Sequence, residues 1–206
     1  MQNYTDIMID LETFGNGNDA TIVSIGAVAF NSKAGRTANS LFDDLAEGTE
    51  GLLASGQAFE VKVRPGDSAH PGEMTPETVE WWLGQSDEAR QALLEGPRES
   101  LGSALDMFVS WAQTVDNLGT VRLWSRGPTF DETILRSAFR RYKMTDRFPT
   151  NFWNARCCRT IEDLARDAGW SSIFENQLAH SAVNDAIHQA RTVTMQVAHL
   201  SSRVRS

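Results

Sequence analysis

The sequence predicts an α/β domain in which a mixed β-sheet is flanked by α-helices. Two runs near the start, Ile7 to Leu11 and Ala20 to Phe30, are rich in β-branched and apolar residues and have strand character. From Thr75 onward the apolar spacing changes to that of amphipathic helices, with a short strand, Thr120 to Ser125, set among them. Strands first, then helices alternating with a strand, is the order of a sheet layered between helices.

The first two strands are joined by the Gly/Asn/Asp stretch Gly15 to Asp19, which gives a hairpin, and Lys33 to Arg36 marks a turn. The acidic, glycine-containing segment from Asp43 to Gly56 is a candidate insertion ahead of a third strand, Ala58 to Arg64, whose apolar and polar residues alternate. Thr75 is placed to cap a helix whose first position is Pro76, where the missing N–H of proline leaves no bond unmade. Val79, Trp82 and Leu83 share a face of that helix. Further helices are expected over Asp87 to Leu94 and Arg98 to Val115. Thr129 and Glu132 have the spacing of a capping box that opens a helix toward Tyr142. Cys158 to Ala168 and Ala182 to Leu200 complete the set, the last with Ala186, Ala190, Val193, Val197 and Leu200 along its inner face.

With 206 residues, 41% hydrophobic and 22% charged, the chain can bury the core of one domain, residues 1–206. Ser24 and Gly26 interrupt the longest apolar run, well short of the ~20 residues a membrane span needs. Met1 to Asp6 lack the basic and apolar regions of a secretory signal, so a cytoplasmic location with no membrane partner is expected. Cys157 and Cys158 are adjacent, a spacing that suits neither a disulfide framework nor a CxxC zinc site. A net charge of −8 opposes tight coating of a polyanion. Divalent cations held in an acidic pocket would reverse that field locally.

Asp10 and Glu12 lie two positions apart, so on a strand both carboxylates point to one face, with Cα atoms ~6.5–7 Å apart. Their neighbours Ile7, Met8, Ile9 and Leu11 are apolar, which places the pair at the end of a buried strand. Asp131 falls in the first turn of a helix, where the macrodipole favours an ionised carboxylate. His180 and Asp185 form the only His-x4-Asp spacing in the chain, and Ala182 and Ala186 let that helix start pack closely. Taken singly, each acid is better explained as a strand-end or helix-start residue. Their order along the chain carries the inference.

Asp-x-Glu early, an Asp before a middle helix and His-x4-Asp near the C-terminus resemble the DEDDh exonucleases of the DnaQ-like, ribonuclease-H-like superfamily. DLETFG at 10–15, ETVEWWLGQSDEAR at 77–90, WSRGPTFDETIL at 124–135 and FWNARCCRT at 152–160 resemble, within it, phage exodeoxyribonucleases of the A type and their bacterial exoribonuclease relatives. That branch usually has Asp where this chain has Cys157. The resemblance implies a ribonuclease-H-like mixed sheet and a 3′-5′ exonuclease acting at the 3′ end of single-stranded DNA or RNA, DNA slightly ahead. It also implies release of nucleoside 5′-monophosphates and, for some relatives, a homodimer.

Two hard divalent ions ~3.5–4 Å apart activate a water and stabilise the leaving oxygen in phosphodiester hydrolysis. Oxygen-only ligands suit Mg²⁺ or Mn²⁺. By resemblance Asp10 bridges the metals, Glu12 and Asp185 complete their coordination, Asp131 contributes directly or through water, and His180 is the general base. An imidazole titrating near neutrality suits that task. Thr13 and Phe14 are placed to hold the terminal sugar and base, although Phe14 equally suits the core. Trp81 and Trp82 point about 100° apart on a helix, so at most one faces the core squarely. Arg126 is suited to a phosphate or to a surface salt bridge, and Arg156 is similar. A dinucleotide phosphodiesterase would use the same five residues, whereas a non-catalytic binding protein of this fold would be expected to have lost one of them.

Overall fold

The computed structural model describes residues 4–33, 48–66, 69–115, 120–127, 129–171 and 180–203. Strands β1 (Asp6–Thr13) and β2 (Ile22–Phe30) are followed by helix α1 (Thr49–Ala54), strand β3 (Ala58–Lys62) and helices α2 (Pro76–Leu83), α3 (Asp87–Leu94) and α4 (Leu101–Val115). Strand β4 (Arg122–Ser125), helix α5 (Asp131–Arg141), strand β5 (Ala155–Cys157) and helices α6 (Cys158–Asp167) and α7 (Ala182–Arg203) complete the order, with 3₁₀ turns at Thr145–Arg147 and Phe152–Asn154. The five strands lie in the order β3-β2-β1-β4-β5. β1 pairs antiparallel with β2, and β2 with β3, while β1–β4 and β4–β5 are parallel.

The alternation of β1 decides where the layers go. Ile7, Ile9 and Leu11 enter a core shared with Leu105 and Phe108 of α4 and Ile134 and Leu135 of α5. Met8 enters the opposite core with Val183, Ala186 and Ile187 of α7. β2 is buried along its whole length, as a strand covered on both faces must be. Asp10 and Glu12 share the parity of Met8, so both carboxylates face the layer that α7 covers.

In the β1–β2 register Asp10 stands opposite Gly26 and Glu12 opposite Ser24. A Cβ on Gly26 would lie 2.1 Å from the carbonyl carbon of Ala182 and 2.2 Å from the nitrogen of Val183. The first turn of α7 therefore rests directly on strand backbone, and the buried Ala182 and Ala186 permit that approach.

Several elements depart from the sequence reading. No capping box forms at α5: Phe130 occupies the N-cap without a side-chain bond, and Glu132 instead pairs with Arg136 at 2.7 Å. Thr75 does precede α2, but its hydroxyl bonds that of Thr78 at 2.7 Å rather than the backbone. α4 begins at Leu101 because the backbone of Glu99 is paired beyond β3, its N–H donating to Lys62 O at 2.9 Å and its carbonyl accepting from Arg64 N at 2.8 Å, while Ser100 Oγ accepts from the Ser103 N–H at 3.2 Å. β4 starts at Arg122, and β3 stops at Lys62 with Val63 making an isolated bridge to Glu99. β5 has three residues, too short for any periodicity to announce.

Of the candidate insertion at 43–56, residues 43–47 lie outside the described residues, and Thr49–Ala54 forms α1, with Leu52 buried in the α7-side core. The turn expected at Lys33 to Arg36 is seen at Lys33, and 34–36 lie outside the described residues. On α7 the buried face includes Gln189 and Gln196, whereas Val197 and Leu200 are only partly covered. No helix among the described residues is long and apolar enough to cross a membrane.

Candidate active site

β1 runs past the end of its ladder with β4, which stops at Met8 and Trp124, so its C-terminal half needs another partner on that side. The N–H of Leu11 finds one in Oδ1 of Asp131, at 3.1 Å. Asp131 is the first residue of α5 and is 3% exposed. That bond ties the helix start to the strand segment carrying Asp10 and Glu12.

From above, α7 supplies Asp185 in its first turn. His180 precedes the helix with φ +69°, the left-handed region that non-glycine residues seldom adopt. In that conformation its backbone N–H donates to Oδ2 of Asp185 at 2.8 Å, while the Asp185 N–H donates to Ser181 O at 2.8 Å. Ligand atoms of Glu12, His180 and Asp185 lie within 4.8 Å of one another. The five residues singled out in the sequence thus converge from β1, α5 and the start of α7.

Their electrostatics reflect the crowding. Burial, followed by the neighbouring charges of Asp131, Glu12 and Asp185, raises the pKa of Asp10 well above the ordinary range. Glu12 is pushed up to about 8 by burial and then by Asp185 and Asp131. Asp131 rises to about 6 through burial, moderated by backbone N–H donors that include Leu11. Like charges gathered in a poorly solvated space favour protons unless a cation replaces them. An all-oxygen carboxylate set of this kind fits a hard divalent cation.

Gln189 belongs to none of the sequence motifs. Its Nε2 donates to Oδ1 of Asp10 at 2.7 Å, and this bond opposes the rise in the Asp10 pKa. One turn beyond Asp185 on the same helix face, a neutral amide was the available signal.

An aromatic wall closes the opposite side. Trp82, 4% exposed, donates its indole N–H to the carbonyl of Thr13 at 2.9 Å, whereas Trp81 is 47% exposed. The His180 ring meets Trp81 edge-on at 4.9 Å between centroids and Trp82 at 6.0 Å. Phe14 is half-buried and packs against the cluster of Val23, Trp82 and Leu93. The Thr13 side chain is buried and donates to Gly15 O at 2.7 Å. Arg126 forms a salt bridge with Glu162 at 3.2 Å, and Arg156 bonds the carbonyls of Trp153 and Ala155.

Residues 5–197 match the family described as 3′-5′ exoribonuclease Rv2179c-like domain. The Exodeoxyribonuclease of Enterobacteria phage T4 is 28% identical over 201 residues, covering 89% of this chain and 83% of the phage protein. The zinc-bound E. coli ExoI–ssDNA complex has a TM-score of 0.60 at 15% identity; the likeness covers 99% of this chain, which spans 42% of that ExoI chain. S. pombe Pop2p in its Mg²⁺- and Mn²⁺-bound form has a TM-score of 0.51 at 12% identity, covering 93% of this chain and 82% of Pop2p. These two likenesses are of fold, and they bear out the expected ribonuclease-H-like sheet. The chain belongs to the Rv2179c-like 3′-5′ exoribonuclease domain family and is a nuclease hydrolase.

Proposed function

We propose that this chain removes nucleotides one at a time from the 3′ end of single-stranded nucleic acid, releasing nucleoside 5′-monophosphates. The observation that carries the reading is the convergence of Asp10, Glu12, Asp131 and Asp185 beside His180, with burial and mutual repulsion raising the pKa values of Asp10 and Glu12. In this reading the four carboxylates hold two divalent cations, Mg²⁺ or Mn²⁺. When bound, such ions supply positive charge to the attacking and leaving oxygens of an in-line displacement.

The chain's own groups do the rest. Gln189 fixes the orientation of the Asp10 carboxylate, and the Leu11 N–H fixes that of Asp131. His180 accepts a proton from the attacking water as its oxygen bonds to phosphorus and the bond to the preceding 3′-oxygen breaks. The edge of Trp81 and the backbone bond to Asp185 restrict where that imidazole can point. Phe14 offers a half-exposed ring to the terminal base, beside the backbone of Thr13. Arg126 exchanges Glu162 for a phosphate. DNA and RNA both fall within the proposed range, supported by the phage relative and the family description respectively; we place DNA first on the phage-type motifs alone.

The test is degradation of 5′-labelled DNA and RNA oligomers, and of a dinucleotide, with Mg²⁺ or Mn²⁺. A ladder shortening stepwise from the 3′ end, absent in Asp10→Ala, is the expected result. If wild-type protein shortens none of the substrates, the proposal is wrong.

A further inference from the structure

Three of the four acids are held by a donor from the chain itself. Gln189 donates to Asp10, the backbone N–H of Leu11 to Asp131, and the backbone N–H of His180 to Asp185. Glu12 has no such donor among the described residues, and burial and the charges of Asp185 and Asp131 act on its carboxyl unopposed.

The complementary defect stands directly across the ladder. Ser24 is the register partner of Glu12, and such partners project to one face with Cβ atoms ~4.5–5.5 Å apart. Val28, Gly26 and Ser24 alternate onto the α7 side of β2, as Met8, Asp10 and Glu12 do on β1. Ser24 is 4% exposed, and its Oγ is buried with no hydrogen-bond partner. A buried hydroxyl left unsatisfied costs stability, and alanine would fill the same place without that cost. A donor without an acceptor is therefore set beside an acceptor without a donor.

The backbone isolates this pair. Gly26, opposite Asp10, has no side chain to offer, so Ser24 is the polar side chain that β2 presents beside the two acids. The ladder then shifts between Glu12 and Thr13: Thr13 pairs with Ile22, and Val23 is left over. Bulges of this kind re-aim side chains next to active sites. Here Val23 joins the cluster of Trp82 and Leu93, while Ser24 stays squarely opposite Glu12.

We propose that Ser24 is the positioning residue of Glu12, its hydroxyl donating to the carboxylate once Glu12 is ionised beside a bound divalent cation. The inference deepens the proposed function and rests on it for the cation. In metal-free protein the Glu12 carboxyl is held toward its protonated form, a weaker acceptor than the carboxylate. When a cation is bound, the Glu12 proton passes to solvent and the Ser24 proton stays on its own oxygen. The serine aims the ligand without reacting.

The experiment is calorimetric titration of Mn²⁺ into the full chain, as wild type, Ser24→Ala and Ser24→Thr, beside thermal melts in chelator and the oligomer assay. Ser24→Ala should bind Mn²⁺ roughly 10-fold or more weakly, as when a group that orients a metal ligand is lost. Its metal-free melting midpoint should rise by roughly 2–4 °C, because an unpartnered hydroxyl is gone. Ser24→Thr keeps the hydroxyl on a residue suited to strands and should bind Mn²⁺ as wild type does. Unchanged affinity in Ser24→Ala overturns the proposal. So does a loss accompanied by a lower midpoint in chelator, which would make the serine a packing residue, or an equal loss in Ser24→Thr. Oligomer shortening with Mn²⁺ affinity indifferent to Ser24 rejects the positioning role alone. Affinity that depends on Ser24 without any shortening supports that role and rejects the exonuclease, and a wild-type chain that binds no Mn²⁺ rejects both.

Discussion

Gln189 Nε2 stands 2.7 Å from Oδ1 of Asp10, donating to a carboxylate that burial and three neighbouring acids hold toward its protonated form. The amide both aims the carboxylate and favours its charge. Replacing Gln189 with Leu should lower divalent-cation affinity or turnover by roughly 10–100-fold, the usual effect of losing a group that orients a metal ligand. Metal titration of the variant against wild type measures it.

For His180, backbone and ring can be separated. Its φ of +69° is tolerated by Asn better than by Ala. His180→Ala and His180→Asn should both reduce turnover by ~10²–10⁴-fold if the imidazole is the base. His180→Asn should retain wild-type thermal stability more closely. Turnover near wild type in both variants would remove the histidine from the proton transfer.

Metal-free protein should respond to pH in a direction set by the raised acids. Glu12 is lifted to about 8 and Asp131 to about 6, so between their unfolded values and these pKa values the folded state binds more protons than the unfolded state. In chelator, stability should therefore fall as pH rises from about 4 to about 8. Divalent-cation affinity should rise over the same interval, with proton release on binding. Denaturant melts at stepped pH, and calorimetry in buffers of differing ionisation enthalpy, would check the two halves.

Gly26→Ala tests the contact beneath α7. The new methyl would stand 2.1 Å from the Ala182 carbonyl carbon, and neither strand nor helix backbone can yield cheaply. A destabilisation of ~1–3 kcal/mol or more is expected. Displacing the start of α7 also moves His180 and Asp185, so activity should fall further than stability alone accounts for.

Cys157 is the N-cap of α6 and makes no side-chain capping bond. Cys157→Asp should stabilise the protein by ~0.5–2 kcal/mol, since an aspartate there can accept from the free N–H groups of the first turn. A lower melting midpoint in that variant would show that Cys157 is held by packing instead.

Strand parity made Asp10 and Glu12 legible, because a two-residue spacing on an apolar strand puts both on one face whatever the rest of the fold does. Asp131 and Asp185 were visible as helix-start acids, and only their order in the chain distinguished them from ordinary capping charges. Gln189 and Gln196 were not legible. A neutral amide on an amphipathic helix looks like a solvent-facing residue, and burial is decided by α6 and the sheet, which periodicity does not locate. The Thr129/Glu132 spacing misled for a related reason: Arg136 competes for the Glu132 carboxylate, and local capping lost to a pair one turn further along.

β1 carries a third acid on the face of Asp10 and Glu12, four residues before Asp10. Asp6 is 0% exposed, yet it receives the indole N–H of Trp124, the guanidinium of Arg122, the backbone N–H of Ser32 and the hydroxyl of Thr5. One end of the strand is thus electrically self-sufficient, while the other is where the proposed cations would supply the missing charge. Architecture and reactivity are wired separately along a single strand. A chelator should silence the molecule while leaving its scaffold standing.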